Sequence, residues 1–208
     1  VARELQRALE SLFGYPAPAE AWEEEIFPAR LPRYSGAWLD GLLASSELLW
    51  LGCGRRRLTF CFRSDLELLL EPRRAAREEL EALLPDLRGR FSFWDIREHS
   101  GLSSPEAVRR LWEAAWKCRA ANDGFEVVRR GLLNGFSAEE PESRPGRRSR
   151  IGYDRWKASR PATGFWFALD PALETEGPRD AVTEEELAKD RARQLLARYG
   201  ILFRELLE

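Results

Sequence analysis

The sequence predicts a mainly helical α+β fold made of tandem winged-helix (winged helix-turn-helix) modules with short β-hairpin wings. Two observations carry that expectation. Three amphipathic helical stretches are followed by two short, aromatic-rich apolar runs across a Gly/Arg turn, and the same order then recurs. The expected modules are residues 1–72, residues 73–172 with a long Arg-rich wing insertion at about 137–162, and a truncated third module over residues 183–208.

In the first module, Leu5, Ala8, Leu9 and Leu12 lie at helical spacing between Arg3 and Phe13, and Gly14-Tyr15-Pro16 ends the stretch. A short helix from Ala19 to Phe27 turns Trp22, Ile26 and Phe27 inward and leaves Glu23, Glu24 and Glu25 as a solvated face, with Pro28 and Pro32 breaking the pattern. Ser35 is placed to cap a third helix whose stripe is Trp38, Leu39, Leu42 and Leu43. The period then changes. Leu48 to Leu51 and Leu58 to Phe62 read as strands, joined by a turn containing Gly52, Gly54, Arg55 and Arg56.

In the second module, Arg77 to Leu84 and Phe93 to His99 read as helices. Ser104-Pro105-Glu106 reads as a capped start for a third, with Val108, Leu111, Trp112, Ala115 and Trp116 on its buried stripe. After the Asn122-Asp123-Gly124 turn, Phe125 to Val128 reads as extended, with its matching strand at Thr163 to Leu169 and a mobile wing-tip loop between them. Thr183-Glu184-Glu185-Glu186 reads as a capping box opening a last helix that runs through Leu195, Leu196 and Tyr199 to Gly200.

With 208 residues, 44% of them hydrophobic and 11% aromatic, the chain can fill packed cores. It opens at Val1 and contains no methionine, which predicts an excised segment of a longer protein. No apolar run approaches the roughly 20 residues of a membrane-spanning helix, so no membrane partner is expected. Cys53, Cys61 and Cys118 are odd in number and lie in apolar stretches without the paired spacing of a zinc site. Buried free thiols in a reducing cytoplasm are expected.

Net charge is only -2, so nucleic-acid binding must come from local basic patches. Three are present: Arg55, Arg56 and Arg57 at the first hairpin tip, Arg109 and Arg110 on the second candidate recognition helix, and the stretch from Pro141 to Arg160. That stretch sets Arg144, Arg147, Arg148, Arg150, Arg155, Lys157 and Arg160 against Glu142 and Asp154. Tyr153 and Trp156 interleave with these charges, either as platforms for unpaired bases or as pins holding the loop to its domain. The hairpin arginines likewise read as phosphate contacts or as a solubilising tip. The first candidate recognition helix, Ala37 to Ser46, carries almost no charge and is a poor major-groove reader, better suited to face a neighbouring module or a partner subunit.

Catalytic signals are sparse. A Gly-rich phosphate loop ending in Lys-Ser or Lys-Thr is missing from the sequence, as is an acidic pair after an apolar strand, so nucleotide hydrolysis is not expected of this segment. His99, the single histidine, has Asp95 and Ser100 near it in sequence but in no triad spacing, and no catalytic or metal-ligating residue is assigned.

Several stretches resemble the large helicase-related (Lhr) family. They are Trp22 to Leu31, Ala37-Trp38-Leu39-Asp40, Glu47 to Gly52, Ala121 to Phe125, Thr163 to Leu169 and Gln194 to Glu205. The resemblance implies part of the winged-helix C-terminal region of a long superfamily 2 helicase. Such a protein is implied to be a repair-linked, ATP-driven 3'-to-5' translocase that unwinds duplexes, including RNA:DNA hybrids. ATP and Mg are then expected in a helicase core upstream, with no cofactor in this segment, and a glycosylase-like module is implied downstream. The implied partners are single-stranded DNA or an RNA:DNA hybrid, other domains of the same helicase chain, and further copies of the protein in a homo-oligomer.

Overall fold

A computed structural model describes residues 2–70, 77–138, 163–169 and 181–199. Helix α1 (Ala2–Ser11) buries Leu5 and Leu9 and ends at Gly14, whose φ of 63° lets the chain reverse into strand β1 (Ala17–Pro18). Helix α2 covers residues 19–30, with a π-helical stretch, Trp22–Ile26, between short α-helical pieces, Ala19–Ala21 and Phe27–Arg30. Pro28 therefore does not end the helix, contrary to the sequence reading. The π turn, in which the Phe27 N–H reaches the Trp22 carbonyl, supplies the local widening by which the ladder passes a residue that has no N–H.

Helix α3 (Gly36–Ser45) packs Leu39, Leu42 and Leu43 into the core. Ser35 occupies its N-cap, but its side chain makes no capping bond there. Its carbonyl accepts from the Trp38 N–H instead. Strands β2 (Leu48–Gly52) and β3 (Arg57–Phe62) pair antiparallel, with Trp50 opposite Phe60, and β1 adds to the far side of β3 through Ala17 opposite Leu58. A 3₁₀ turn, Arg63–Asp65, leads into α4 (Leu66–Leu69).

Helix α5 (Arg77–Glu81) presents Leu80 to the core, with Leu83 and Leu84 buried just beyond it. Helix α6 (Phe93–Ser100) starts with a capping box between Ser92 and Asp95 and stops at Gly101, φ 66°. Helix α7 (Ser104–Trp116) is capped by Ser103, whose side chain accepts from the Glu106 N–H. Ser104 is the first helical residue and not the cap, and Pro105 lies in the first turn.

The largest departure from the sequence reading follows. Strand β4 (Ala120–Asn122) pairs antiparallel with β5 (Trp166–Ala168), while the apolar run at Phe125 to Val128 opens a helix, α8 (Glu126–Asn134). A short apolar run carries no period of its own. Here Val127, Val128 and Gly131 fall on one buried helical face, Glu126 pairs with Arg130 one turn on, and Gly135 at φ 68° closes the helix. Helix α9 (Ala181–Tyr199) already runs at Ala181, which places Thr183 inside it and not at its cap. Arg191 ties α9 to α4 by donating to the Leu68 and Glu67 carbonyls.

One hydrophobic cluster extends from Leu5 to Trp166, so buried residues between Leu5 and Phe60 share a core with those between Leu80 and Phe136 and with Trp166. Its centre is aromatic. Trp50 stacks on Trp112 at 6.1 Å, Trp166 meets both edge-on, and Phe136 closes the far side against Trp112 and Trp116. The Trp50 indole N–H donates to the Gly124 carbonyl at 3.2 Å, which satisfies the polar atom of a wholly buried ring. A second cluster, including Leu49, Leu51, Cys61, Leu66 and Phe167, fills the space beneath α4. Cys61 is buried as expected, whereas Cys53 is exposed at the β2–β3 turn. Among the described residues no helix is long and apolar enough to cross a membrane.

At Gly52 the two halves touch backbone to backbone. A Cβ there would lie 2.1 Å from the Ala115 carbonyl oxygen, and the Gly54 N–H donates to the Trp116 carbonyl at 2.9 Å. Gly52→Ala is therefore expected to cost about 3 kcal/mol of stability, at the upper end of overpacking effects. Urea unfolding monitored by tryptophan fluorescence measures this, and an unchanged midpoint would mean the contact is slack.

Candidate nucleic-acid interface

The basic residues singled out in the sequence fall into three structural situations. Arg55, Arg56 and Arg57 are all exposed at the β2–β3 turn, yet only Arg55 is unengaged among the described residues. Arg57 donates to the Pro16 carbonyl at 2.9 Å. Arg56 sits at φ 57° in the left-handed region, where a non-glycine residue is strained unless its surroundings hold it. They do: its carbonyl accepts from the Ala19 N–H, its guanidinium reaches the Gly135 carbonyl at 3.4 Å, and it lies over the Phe136 ring at 5.4 Å. Arg56 and Arg57 thus brace the turn, and Arg55 is the side chain left to meet a ligand.

Arg109 and Arg110 lie on the exposed face of α7, where Glu106 and Glu113 neutralise them. Arg109 pairs with both carboxylates, and Arg110 Nε lies 3.0 Å from Glu106. Hydrogen bonds from Arg109 first, then from Arg110, hold the Glu106 carboxyl down to about 2. Because its folded value is depressed, the pairing is complete at neutral pH and is lost only as pH falls towards 2. A phosphate approaching this face has to displace those carboxylates first.

Arg144, Arg147, Arg148, Arg150, Tyr153, Arg155, Trp156 and Lys157 lie outside the described residues, as does the rest of the expected insertion from 139 to 162.

The first candidate recognition helix, α3, faces the second half of the chain. Arg129, on α8, makes a bidentate pair with Glu23 at 2.7 and 3.0 Å, a further bond to Asp40 of α3 at 2.9 Å, and one to the Gly36 carbonyl at 3.2 Å. Tyr34 donates to the same Glu23 carboxylate at 2.5 Å, and its phenol is pushed far above its ordinary value by burial and by that bond. Burial alone would lower the Arg129 pKa, but Glu23 and Asp40 outweigh it and raise it. Glu23 is therefore a clamp residue and not part of a solvated face; of the three glutamates, Glu24 and Glu25 are the exposed ones. Nothing in the sequence flags Arg129, because its partner stands 106 positions away. His99 is exposed, with its ring Nε2 3.2 Å from the Glu81 carbonyl. Among the described residues no cluster of three His, Cys, Asp or Glu side chains is placed to hold a metal.

Three helices followed by an antiparallel strand pair, with a short third strand, make residues 1–63 a winged-helix domain. They match the family described as large helicase-related protein, winged-helix domain. The chain is similar to the Lhr helicase/probable uracil glycosylase of Mycolicibacterium smegmatis, at 30% identity over 222 residues covering 95% of this chain. It is also similar to the Lhr helicase/uracil glycosylase of Escherichia coli, at 44% identity over 48 residues and 23% of this chain. The chain belongs to the large helicase-related family. It spans 14% of the length of the mycobacterial relative, and the matched part of the E. coli protein is 3% of that protein.

Two outcomes follow from the charge geometry. Arg129→Met should cost about 2 kcal/mol, less than the roughly 3–5 of a fully buried pair because its side chain keeps 23% exposure, and should cost less when Glu23→Gln is already present. Equal costs in the two backgrounds, read by urea unfolding, would show the pair to be uncoupled. In an NMR titration, Arg109→Gln with Arg110→Gln should return the Glu106 midpoint to the ordinary range near about 4.3.

Proposed function

We propose that this chain is a non-catalytic accessory segment of an ATP-dependent helicase acting on DNA or RNA:DNA hybrids in DNA repair, and that it contributes nucleic-acid binding through its basic turns. It belongs on this reading to the winged-helix C-terminal region of a long cytoplasmic protein. The observation that carries the proposal is the similarity, along 95% of the chain, to a protein named as a helicase. Arg55 on the β2–β3 turn and the basic run from Arg144 to Lys157 are the intended phosphate contacts, with Tyr153 and Trp156 as base-stacking surfaces.

The proposed modules are residues 1–72, residues 73–172, and a third beginning at 183. Supporting the second is the order α5, α6, α7 followed by the β4–β5 pair, with α8 and the basic run inserted between those strands. The sequence lacks the lysine-bearing phosphate loop of a nucleotide site, and among the described residues no His, Cys, Asp or Glu cluster is placed to hold a metal. ATP, Mg and any base-excision chemistry are assigned to other parts of the protein, and no step is routed through this segment.

A scaffold reading is favoured by a separate observation. α3 is engaged by α8 through Arg129, α7 carries neutralised arginines, and Trp94, Leu133 and Phe165 are large apolar side chains left exposed, Leu133 at 88%. Such surfaces suit contacts with other domains of the helicase chain or with a second copy.

Fluorescence anisotropy with labelled single-stranded DNA, duplex and RNA:DNA hybrid across a salt series separates the readings. Binding should weaken with salt along a slope of several charges, and Arg55→Gln combined with Arg147→Gln, Arg148→Gln and Arg150→Gln should weaken it about tenfold or more at low salt. No binding at micromolar protein and low salt would leave the scaffold, which sedimentation then tests through self-association.

A further inference from the structure

We infer that the groove between α1 and the segment following α2 is a binding site for single-stranded nucleic acid, separate from the basic turns. This deepens the nucleic-acid reading above and rests on it. The groove has a volume of about 670 Å³ and is lined by Arg7, Arg30, Leu31, Arg33 and Trp38 above buried Ala8. Its size lies within the range of small-ligand sites, roughly 300–1,000 Å³.

Three observations fix the ligand class. First, the charge is uncompensated. Arg7, Arg30 and Arg33 are exposed, and among the described residues none is in an ion pair. Arg30 gives one Nη1 bond to the Ile26 carbonyl at 3.3 Å and keeps its other donors free. Glu4 is the single carboxylate on the lining. Several arginines elsewhere on the described surface are engaged instead: Arg109 and Arg110 face glutamates, and Arg56 and Arg57 hold backbone carbonyls, whereas Arg55 stands alone on its turn. The groove is where three open guanidiniums line one concavity. Second, planar guanidiniums suit the bidentate recognition of phosphate oxygens. Third, half-buried Trp38 shares the lining with them, and an indole beside phosphate-binding groups is the pairing that tracks an unpaired strand, with the base stacked and the backbone neutralised. A base held in a duplex cannot reach the indole, so the occupant is single-stranded. An acidic peptide would satisfy the arginines but would use the indole only if it also carried an aromatic side chain, whereas every nucleotide brings a ring beside its phosphate.

The Arg129 clamp holds the site in shape, because it grips Glu23 of α2 and Asp40 of α3, on either side of the segment that carries Leu31, Arg33 and Tyr34. The groove is therefore preformed before any strand arrives, and binding does not have to order it.

The test uses the whole chain and a labelled oligo(dT) strand. Arg7→Gln, Arg30→Gln and Arg33→Gln together should weaken binding about tenfold or more and lower the slope of log affinity against log salt by about 2, at about 0.7 per lost phosphate contact. The variant carrying substitutions at Arg55, Arg147, Arg148 and Arg150 should keep that part of the slope. Photocrosslinking of 4-thiothymidine DNA to the unmodified protein gives an independent readout: fragment sequencing of the tryptic peptide from Tyr34 to Arg55 should place the adduct at Trp38 and not at the turn residues 53–55. Binding that is lost only in the turn-and-run variant, with no adduct at Trp38, overturns the groove while the proposed function stands. No binding by the unmodified protein overturns both. Displacement of the strand from the groove by polyglutamate at equal or lower concentration overturns the nucleic-acid occupant in favour of an acidic protein partner.

Discussion

The structure depends on a contact made by three tryptophans far apart in the chain. Trp50 on β2, Trp112 on α7 and Trp166 on β5 converge at ring separations of 5.5 to 6.4 Å, and all are buried. Large rings packed edge to face and offset remove much apolar surface from water at low conformational cost. Bringing them together forces the β2–β3 turn against the end of α7, which is why Gly52 has no room for a side chain and why the Gly54 N–H finds its acceptor on α7. The winged-helix domain and the residues after it are joined through this shared core.

On the other side of the core a polar clamp does related work. Arg129 reaches from α8 to α2 and α3 and closes the face that a free winged helix could present to a DNA groove. The nearly uncharged α3 thereby has a structural use: its polar groups, Asp40 and the Gly36 carbonyl, serve an internal partner. On the proposed reading, recognition falls to the turn and to the groove beside α1 and not to the helix that the fold alone would nominate.

Positive charge in the sequence proved a poor guide to positive charge that is available. Arginines close together in sequence have different fates: Arg55 is open, while Arg56 and Arg57 brace the turn that carries all three. Arg109 and Arg110 looked like phosphate contacts, but their own helix sets Glu106 and Glu113 one turn away, and an i,i+3 or i,i+4 carboxylate is the nearest partner an exposed guanidinium can find. Nothing local in the sequence groups Arg7 with Arg30 and Arg33, because residues 7 and 30 become neighbours only once α1 packs on the end of α2.

The sequence by itself determined the local order: the helices that begin the chain, the β2–β3 pair and the buried stripe of α7. Each of these is written in the period of apolar residues or in a turn residue a few positions away, so short-range chemistry suffices to read it, and the family is legible separately, in the matching stretches from Trp22 to Glu205. Only the tertiary structure decided that Phe125 to Val128 enters a helix, since its apolar residues fit either period until Trp112 and Phe136 define the face they must bury. Tertiary structure alone also paired Ala120–Asn122 with Trp166–Ala168, recruited Glu23 to Arg129, and sorted the arginines into braces, ion pairs and open groups. The strand pair, the Glu23 clamp and the arginine braces depend on contacts across about 40 to more than 100 residues, while the ion pairs on α7 are one turn apart; a charge or a ring acquires its role from the neighbour that packing supplies.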